Sequence, residues 1–169
     1  NGTILCNPSD GVNGWELWKS HGSSAGTVMV KDINLGQASS HPAGFIPIDA
    51  ILYFSSSDGP NGWELWKCDW TAAGTVMVKD INPNGSSTGV GNSSNGNGAV
   101  NLGGSLIFSA NDGTHGIELW KSDGTETGTV MVKDIKPSSD QQGGSSSPNA
   151  LIRVGSTVFF RANNGQHGI

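Results

Sequence analysis

Three short segments place two carboxylates and several backbone carbonyls close together in sequence, and oxygen groups of this kind are the ligands of calcium. Each segment has the pattern Asp-Gly-x-x-Gly-x-Glu, and the three cover residues 10–16, 58–64 and 112–118. Ca²⁺ takes oxygen-only sites of this sort. The segments lack the alternating acids of a calcium loop, so we favour a plain turn followed by a cross-strand glutamate. A calcium site in these segments is the less favoured alternative.

Tryptophan is the second residue type with binding chemistry, because its ring stacks on the apolar faces of sugars. Three of the six stand at one place in a repeated motif: Trp18, Trp66 and Trp120. A large aromatic at a fixed place in every unit is typical of packing, and we assign these three to the core. The other three vary between copies and are the candidates for sugar contact: Trp15, Trp63 and Trp70.

Arrangements typical of catalysis or of zinc binding are not found in the sequence. The four histidines have no cysteine or further histidine nearby at ligand spacing, which argues against zinc. There is no nucleophile elbow and no Gly-rich phosphate loop. Each recurring acid is present in all copies, which is expected of residues that serve the fold. An active site normally occurs only once in a protein. We therefore predict no enzyme activity, no catalytic residue, no cofactor and no metal.

A twenty-residue block, GIELWKSDGTETGTVMVKDI at residues 116–135, recurs with small changes at residues 14–33 and 62–81. The glutamate of ELW and the isoleucine of KDI are 17 residues apart in each copy, as in Glu16 and Ile33. The connector from that isoleucine to the next aromatic strand varies instead, spanning 21, 27 and 25 residues. Constant blocks joined by one variable loop are typical of stacked supersecondary units.

Each unit contains four candidate strands. The first two, such as residues 45–48 and 51–55, flank two-residue connections that predict β-hairpins: Asp49-Ala50, Gly103-Gly104 and Gly155-Ser156. The third strand is ELWK and the fourth is VMVKDI. We expect their lysines to face acids across the strand pair as solubilising surface groups.

The fold class that follows is all-β, with propeller-like blades of four antiparallel strands and about three repeats plus a partial one, in a closed ring or in an open or assembled array. We divide the chain into repeat 1 (1–44, without its first strand), repeat 2 (45–98), repeat 3 (99–150) and the start of repeat 4 (151–169). Residues 155–169 are in the same phase as residues 1–15, so we expect a segment of a longer secreted repeat protein.

Composition limits the partners and the location. The net charge is -5 and there is no basic stripe, so we predict no nucleic acid partner. No run of about 20 apolar residues is present, so we predict no membrane insertion. The sequons at Asn1, Asn84 and Asn92 are candidate glycosylation sites where the host glycosylates asparagine. We expect an extracellular or cell-surface protein.

The two cysteines, Cys6 and Cys68, stand where other copies have phenylalanine and serine. They form one disulfide between neighbouring units, which would agree with an oxidising compartment, or they are two isolated thiols. Their separation in space decides between these alternatives, and the sequence leaves both open.

The repeated blocks, quoted above, resemble the ELWxxDGT repeat found in tandem in large secreted or surface bacterial proteins, and the continuation GTVMVKDI is similar to that family's consensus. The resemblance covers essentially all 169 residues. It implies a surface-located, propeller-like repeat array with no established activity and no family catalytic residues. Two copies depart from the pattern: His21 replaces the motif's aspartate and Trp70 its glycine. At Trp70 this puts a bulky residue where a positive φ is costly.

The function we predict is a non-enzymatic extracellular repeat scaffold for the cell surface, adhesion or fibre assembly, with self-association into a larger assembly or fibre and with glycans as partners. The alternative is a carbohydrate-binding, lectin-like β-propeller module that uses the three variable tryptophans.

Overall fold

The computed structural model describes residues 4–87, 98–137 and 144–167. Within these ranges the chain has thirteen strands and no helix, so the prediction of an all-β protein is confirmed. The strands are β1 (Ile4–Cys6), β2 (Leu17–Ser20), β3 (Val28–Lys31), β4 (Ala43–Ile48), β5 (Ile51–Ser57), β6 (Trp63–Cys68), β7 (Val76–Lys79), β8 (Ala99–Leu102), β9 (Ser105–Asn111), β10 (Ile117–Ser122), β11 (Val130–Lys133), β12 (Asn149–Val154) and β13 (Thr157–Arg161).

The strands form four separate antiparallel sheets, each made of strands that are consecutive in sequence. Two sheets have four strands, in the orders β4-β5-β6-β7 and β8-β9-β10-β11. A third has the order β1-β2-β3, and the fourth is the hairpin β12-β13. A closed barrel or ring is not found among the described residues. The same part of the chain contains no helix long and apolar enough to cross a membrane.

The predicted hairpins form where the turn residues place them. Ile48 pairs with Ile51 across the first of these turns, so two residues connect the strands. The first residue of each turn has a positive φ angle: Asp49 at 53°, Gly103 at 59° and Gly155 at 61°. A positive φ at this position is what the twist of a two-residue hairpin requires.

The hydrophobic core lies between neighbouring repeats and not inside any single one. One cluster joins Leu17 and Val30 of repeat 1 to Phe54 and Trp66 of repeat 2. A second joins repeat 2 to repeat 3, and a smaller third places Leu151 of repeat 4 against repeat 3. Each sheet therefore removes its apolar face from water by packing on the next, as stacked repeat units do.

The assignment of the recurring tryptophans to the core is confirmed for two of them. Trp66 and Trp120 are each 6% exposed. They lie opposite Phe54 and Phe108 on the neighbouring strand, and both phenylalanines are fully buried. Large side chains that lie opposite one another on neighbouring strands contribute roughly 0.2–1 kcal/mol to a sheet.

Candidate functional site

Three aromatic side chains form a row at the boundary between repeats 1 and 2. The ring centroids of Trp15 and His41 are 6.3 Å apart with an interplanar angle of 30°, and those of His41 and Trp63 are 6.4 Å apart at 11°. Trp15 is 49% exposed, His41 is exposed and Trp63 is half-buried. The row therefore presents aromatic surface to solvent, which suits contact with the C–H faces of a sugar.

Backbone hydrogen bonds hold the first two members of the row. The carbonyl oxygen of Trp15 accepts hydrogen bonds from Ser40 N at 3.0 Å and from His41 N at 3.1 Å. His41 adopts a φ of 46°, which turns its side chain at this point of the connector. Non-glycine residues rarely adopt this conformation. His41 is thus placed beside Trp15 by main-chain geometry.

The third member comes from the next repeat. Trp63 begins β6 and pairs with Ser57 of β5. Ser57 N donates to the carbonyl oxygen of Ser40 at 3.1 Å, so the connector that carries His41 is tied to the strand beside Trp63. Trp63 N itself donates to Ser86 Oγ at 3.0 Å. The row exists only because two repeats meet.

Of the tryptophans proposed for sugar contact, the structure brings Trp15 and Trp63 together and leaves Trp70 elsewhere. Trp70 is half-buried against the cluster between repeats 1 and 2, and its Nε1 donates to Ala50 O at 3.2 Å. Its φ is 75°, close to the 80° of Gly22 at the same place in repeat 1, so the predicted costly conformation is present. His41 was not among the residues predicted for sugar contact, and its only signal in the sequence is that the other copies lack a histidine at this place.

A buried glutamate anchors the connector in each of the three repeats. Glu16 is 0% exposed and accepts hydrogen bonds from Ile33 N at 2.8 Å, Ser40 N at 3.0 Å and Ser40 Oγ at 2.6 Å. Glu64 accepts equivalent bonds from Ile81 N at 3.0 Å and Ser87 N at 3.1 Å. The third set is Glu118 with Ile135 N at 2.9 Å, Ser146 N at 2.9 Å and Ser146 Oγ at 2.6 Å.

Burial sets the ionisation of two of these glutamates. Loss of water around the carboxylate raises the pKa of Glu16 and of Glu64, while the hydrogen bonds just described oppose the rise. A carboxyl group with a raised pKa contributes stability that is fully present below its ordinary pKa and is lost as the pH rises through the raised value. The charges of Asp32 and Asp80 add to this rise for Glu16 and Glu64 respectively. With their hydrogen bonds to the connector, the glutamates serve as structural acceptors.

Lysines connect repeat 1 to repeat 2 and repeat 2 to repeat 3, contrary to the expectation of solubilising surface groups. Lys19 Nζ donates to Trp70 O at 2.8 Å, and Lys67 Nζ donates to the equivalent Gly124 O at 2.7 Å. The lysines of the fourth strands reach a second carbonyl of the same turn: Lys31 to Thr75 O at 2.7 Å and Lys79 to Thr129 O at 2.9 Å. Lys31 Nζ also lies 6.0 Å from the centroid of the Trp66 ring.

The segments considered for calcium are turns in which each carboxylate has its own donors. Asp10 Oδ1 accepts hydrogen bonds from Val12 N and Asn13 N, both at 2.8 Å. Asp112 does the same with Thr114 and His115, and the glutamate at the end of each segment binds the connector instead. The described residues contain no group of three or more acids, histidines or cysteines that could hold a metal ion.

The remaining predicted sites are the glycosylation candidates and the two cysteines. Asn84 is exposed in a connector, while Asn1 and Asn92 lie outside the described residues. Cys6 and Cys68 are both free, which is the second of the two alternatives that the sequence left open. Cys68 is buried, and its Sγ accepts hydrogen bonds from Trp70 N at 3.1 Å and Thr75 Oγ1 at 3.2 Å.

Comparisons of the chain with models of known protein families, with curated proteins and with solved structures find no match.

Proposed function

We propose that the chain is a non-enzymatic repeat scaffold of the cell surface, used for adhesion or for assembly into a fibre, in which each four-stranded unit is a propeller-like blade. The observation that carries this proposal is that the same contacts recur at each boundary between repeats 1, 2 and 3. A core cluster spans each boundary, and two lysines reach one turn of the next repeat. Recurrent nearest-neighbour contacts are how solenoids gain rigidity.

The resemblance to the ELWxxDGT repeat agrees with a surface location and adds no activity. The exposed Asn84 sequon fits the same proposal, because a connector on the surface is accessible to glycosylation. Glycans are accordingly part of the proposal as covalent decoration. The buried glutamates recur in all three repeats and accept hydrogen bonds from the connectors, and this supports a structural role for them.

Surface labelling tests the scaffold proposal. Antibodies raised against the chain should label intact cells of the organism that encodes it, and mild protease treatment of those cells should remove the signal. A strain from which the gene is deleted is the control for antibody specificity. Labelling that requires permeabilised cells would overturn the proposal.

The second candidate function is carbohydrate binding, and the row of Trp15, His41 and Trp63 favours it. His41 lies between the two tryptophan rings, 6.3 Å and 6.4 Å from them, and Trp15 and His41 are exposed. Stacked sugar rings would keep their polar edges in water while covering the aromatic faces.

Calorimetric titration with a panel of soluble polysaccharides tests this second function. The substitution Trp15→Ala should weaken any binding by about tenfold or more, the loss expected for one aromatic contact of roughly 1.4 kcal/mol. Leu35→Ala is the matched control, since Leu35 is 82% exposed, apolar and in the same repeat. Equal affinity of both variants for a bound polysaccharide, or no binding by the wild type, would rule out the row as a sugar site.

A further inference from the structure

Two buried polar atoms of the repeated block have no hydrogen-bond partner in the protein. One is Nε1 of the tryptophan of ELW, and the other is Oδ1 of the aspartate of KDI. Both are unpaired in each of repeats 1, 2 and 3, and among the described residues these are the only buried side-chain atoms of this kind: Trp18, Trp66 and Trp120 with Asp32, Asp80 and Asp134. The recurrence of the same two atoms indicates a feature of the repeat itself.

An unpaired polar atom in the interior costs the free energy of removing it from water. Buried polar groups in folded proteins therefore have partners, either in the protein or in ordered water. Here each repeat has one unpaired donor and one unpaired acceptor. A single bridging partner would satisfy both.

In repeat 2 the tryptophan lies on the same face of the sheet as the buried glutamate. Trp66 and Glu64 are two residues apart on β6, so their side chains point the same way. They lie opposite Phe54 and Ser56 in an unbroken register with β5. Trp66 is 6% exposed and packs in the cluster between repeats 1 and 2. Its indole is therefore next to Glu64 on the side that faces repeat 1.

The aspartate of repeat 2 is a neighbour of the same glutamate. Glu64 Oε2 accepts a hydrogen bond from Ile81 N at 3.0 Å, and Asp80 is the residue before Ile81. Burial and, as a smaller cause, the charge of Asp80 raise the pKa of Glu64, so the two carboxylates are close. The indole of Trp66 and the carboxylate of Asp80 thus share one neighbour.

The other two repeats have the same arrangement. Burial and the charge of Asp32 raise the pKa of Glu16 in repeat 1, and in repeat 3 Glu118 accepts the equivalent bond from Ile135 N at 2.9 Å. Trp18 is only half-buried, yet its Nε1 is buried. The enclosure of this atom therefore does not require another repeat packed on that face.

The chemistry of the two atoms selects the class of ligand. An indole N–H only donates a hydrogen bond, and an ionised carboxylate oxygen only accepts one. A metal cation would be repelled by the N–H group, and an anion by the carboxylate. Water accepts the first bond and donates the second, and a buried water needs roughly two to four polar partners of this kind.

We propose that each of repeats 1, 2 and 3 binds one buried water molecule, which accepts a hydrogen bond from Nε1 of its ELW tryptophan and donates one to Oδ1 of its KDI aspartate. In repeat 1 the other oxygen of this carboxylate, Asp32 Oδ2, accepts a hydrogen bond from Gly36 N at 3.1 Å. The water therefore links the third strand to the start of the connector. This site is separate from the surface role and from the aromatic row.

Nuclear Overhauser spectroscopy between water and the indole N–H groups of the ¹⁵N-labelled chain tests the site. A water that stays bound longer than the tumbling time gives laboratory-frame and rotating-frame cross-peaks of opposite sign. Such cross-peaks are expected at Trp18, Trp66 and Trp120. Trp70 is the control in the same spectrum, because its Nε1 donates to Ala50 O at 3.2 Å, and it should give none. Their absence at Trp66 and Trp120 in the wild type would overturn the proposal.

Two substitutions of Asp80 test the acceptor end. Asp80→Asn keeps a side-chain oxygen and should keep the cross-peak at Trp66, whereas Asp80→Leu, of similar size, should remove it. The cross-peaks at Trp18 and Trp120 should persist in both variants, which also shows that these are folded. An unchanged Trp66 cross-peak in Asp80→Leu would contradict the bridge.

A high-resolution crystal structure of the wild type decides the matter if Asp80→Leu does not fold. One ordered water within about 3.2 Å of both atoms in each repeat is the expected result. A direct hydrogen bond between Nε1 and Oδ1 would overturn the proposal.

Discussion

Ser40 Oγ donates a hydrogen bond of 2.6 Å to the buried carboxylate of Glu16, 24 residues earlier in the chain. The same serine also accepts two hydrogen bonds at its carbonyl oxygen, from Ser57 N at 3.1 Å and Ser56 Oγ at 3.1 Å in the next repeat. One residue thus ties the connector of repeat 1 to the second strand of repeat 2. Backbone bonds of Asn111 to Ser87 and of Asn163 to Ser146 repeat this link.

The substitution Glu64→Gln should lower the free energy of unfolding by about 2–4 kcal/mol. Both carboxylate oxygens of Glu64 accept backbone N–H groups, from Ile81 and Ser87, so either orientation of a glutamine amide sets an NH₂ group against a donor. Urea denaturation measures the effect. Glu126→Gln, at an exposed acid of the next repeat, should change stability by less than about 0.5 kcal/mol. Equal stability of the two variants would contradict the anchoring role.

The substitution Lys67→Met should destabilise the chain by about 1 kcal/mol, while Lys121→Met at the same place in repeat 3 should not. Lys67 is half-buried and donates to Gly124 O, which is left buried without its donor, whereas Lys121 is exposed. Thermal unfolding in dilute solution gives the melting temperature of each variant. Equal melting temperatures of the two methionine variants would show that Lys67 does not couple repeat 2 to repeat 3.

The substitution Gly124→Ala should cost more than Gly22→Ala. Both glycines have a positive φ, 86° and 80°, so both variants carry the roughly 1 kcal/mol strain of an L residue there. Only at Gly124 does the added Cβ meet Tyr53 Oη of the preceding repeat, and nothing lies within 4 Å at Gly22. We expect about 1–3 kcal/mol of additional destabilisation from this overlap, measured by urea unfolding.

The double variant Gly124→Ala with Tyr53→Phe checks the cause. Removal of the hydroxyl removes the atom nearest to the new methyl group, so the double variant should recover part of the stability relative to Tyr53→Phe alone. Additive effects of the two substitutions would exclude the contact as the reason.

The substitution His115→Asn should reduce the pH dependence of the melting temperature between about pH 6 and pH 8. His115 Nδ1 lies 2.7 Å from Asp112 Oδ2, and this hydrogen bond raises the pKa of His115. The protonated form contributes stability that is fully present below the ordinary pKa of 6.5 and is lost as the pH rises through the raised value. Because the side chain is partly exposed, we expect a change of only about 1 °C.

Asparagine is the natural replacement, since Asn13 and Asn61 at this position make both the main-chain and the side-chain bond to their aspartates. The turn is thereby kept while the titrating group is removed. The raised pKa values of Glu16 and Glu64 shift stability in the same direction in both proteins, so the difference between them isolates His115. Identical pH profiles would show that this histidine does not contribute.

The sequence by itself determined the strands, the hairpins and the packing role of Trp66 and Trp120. A two-residue turn such as Gly103-Gly104 specifies its hairpin locally, because positive φ angles are accessible to few residues. The alternation of side chains along a strand is equally local. Because the spacing within the repeated block is fixed, the hairpin and the strand assignments apply to every copy. These features depend on neighbours a few residues away, which a single sequence displays.

The tertiary structure decided which residues of different strands, connectors and repeats contact one another. Glu16 meets Ser40 only when the connector folds back over the strand, and Lys19 meets the carbonyl of Trp70 only when two repeats stack. The row of Trp15, His41 and Trp63 likewise depends on two repeats and on the positive φ of His41. Hydrogen bonds and ring contacts act over a few ångströms, so residues far apart in sequence acquire partners only after packing has placed them side by side.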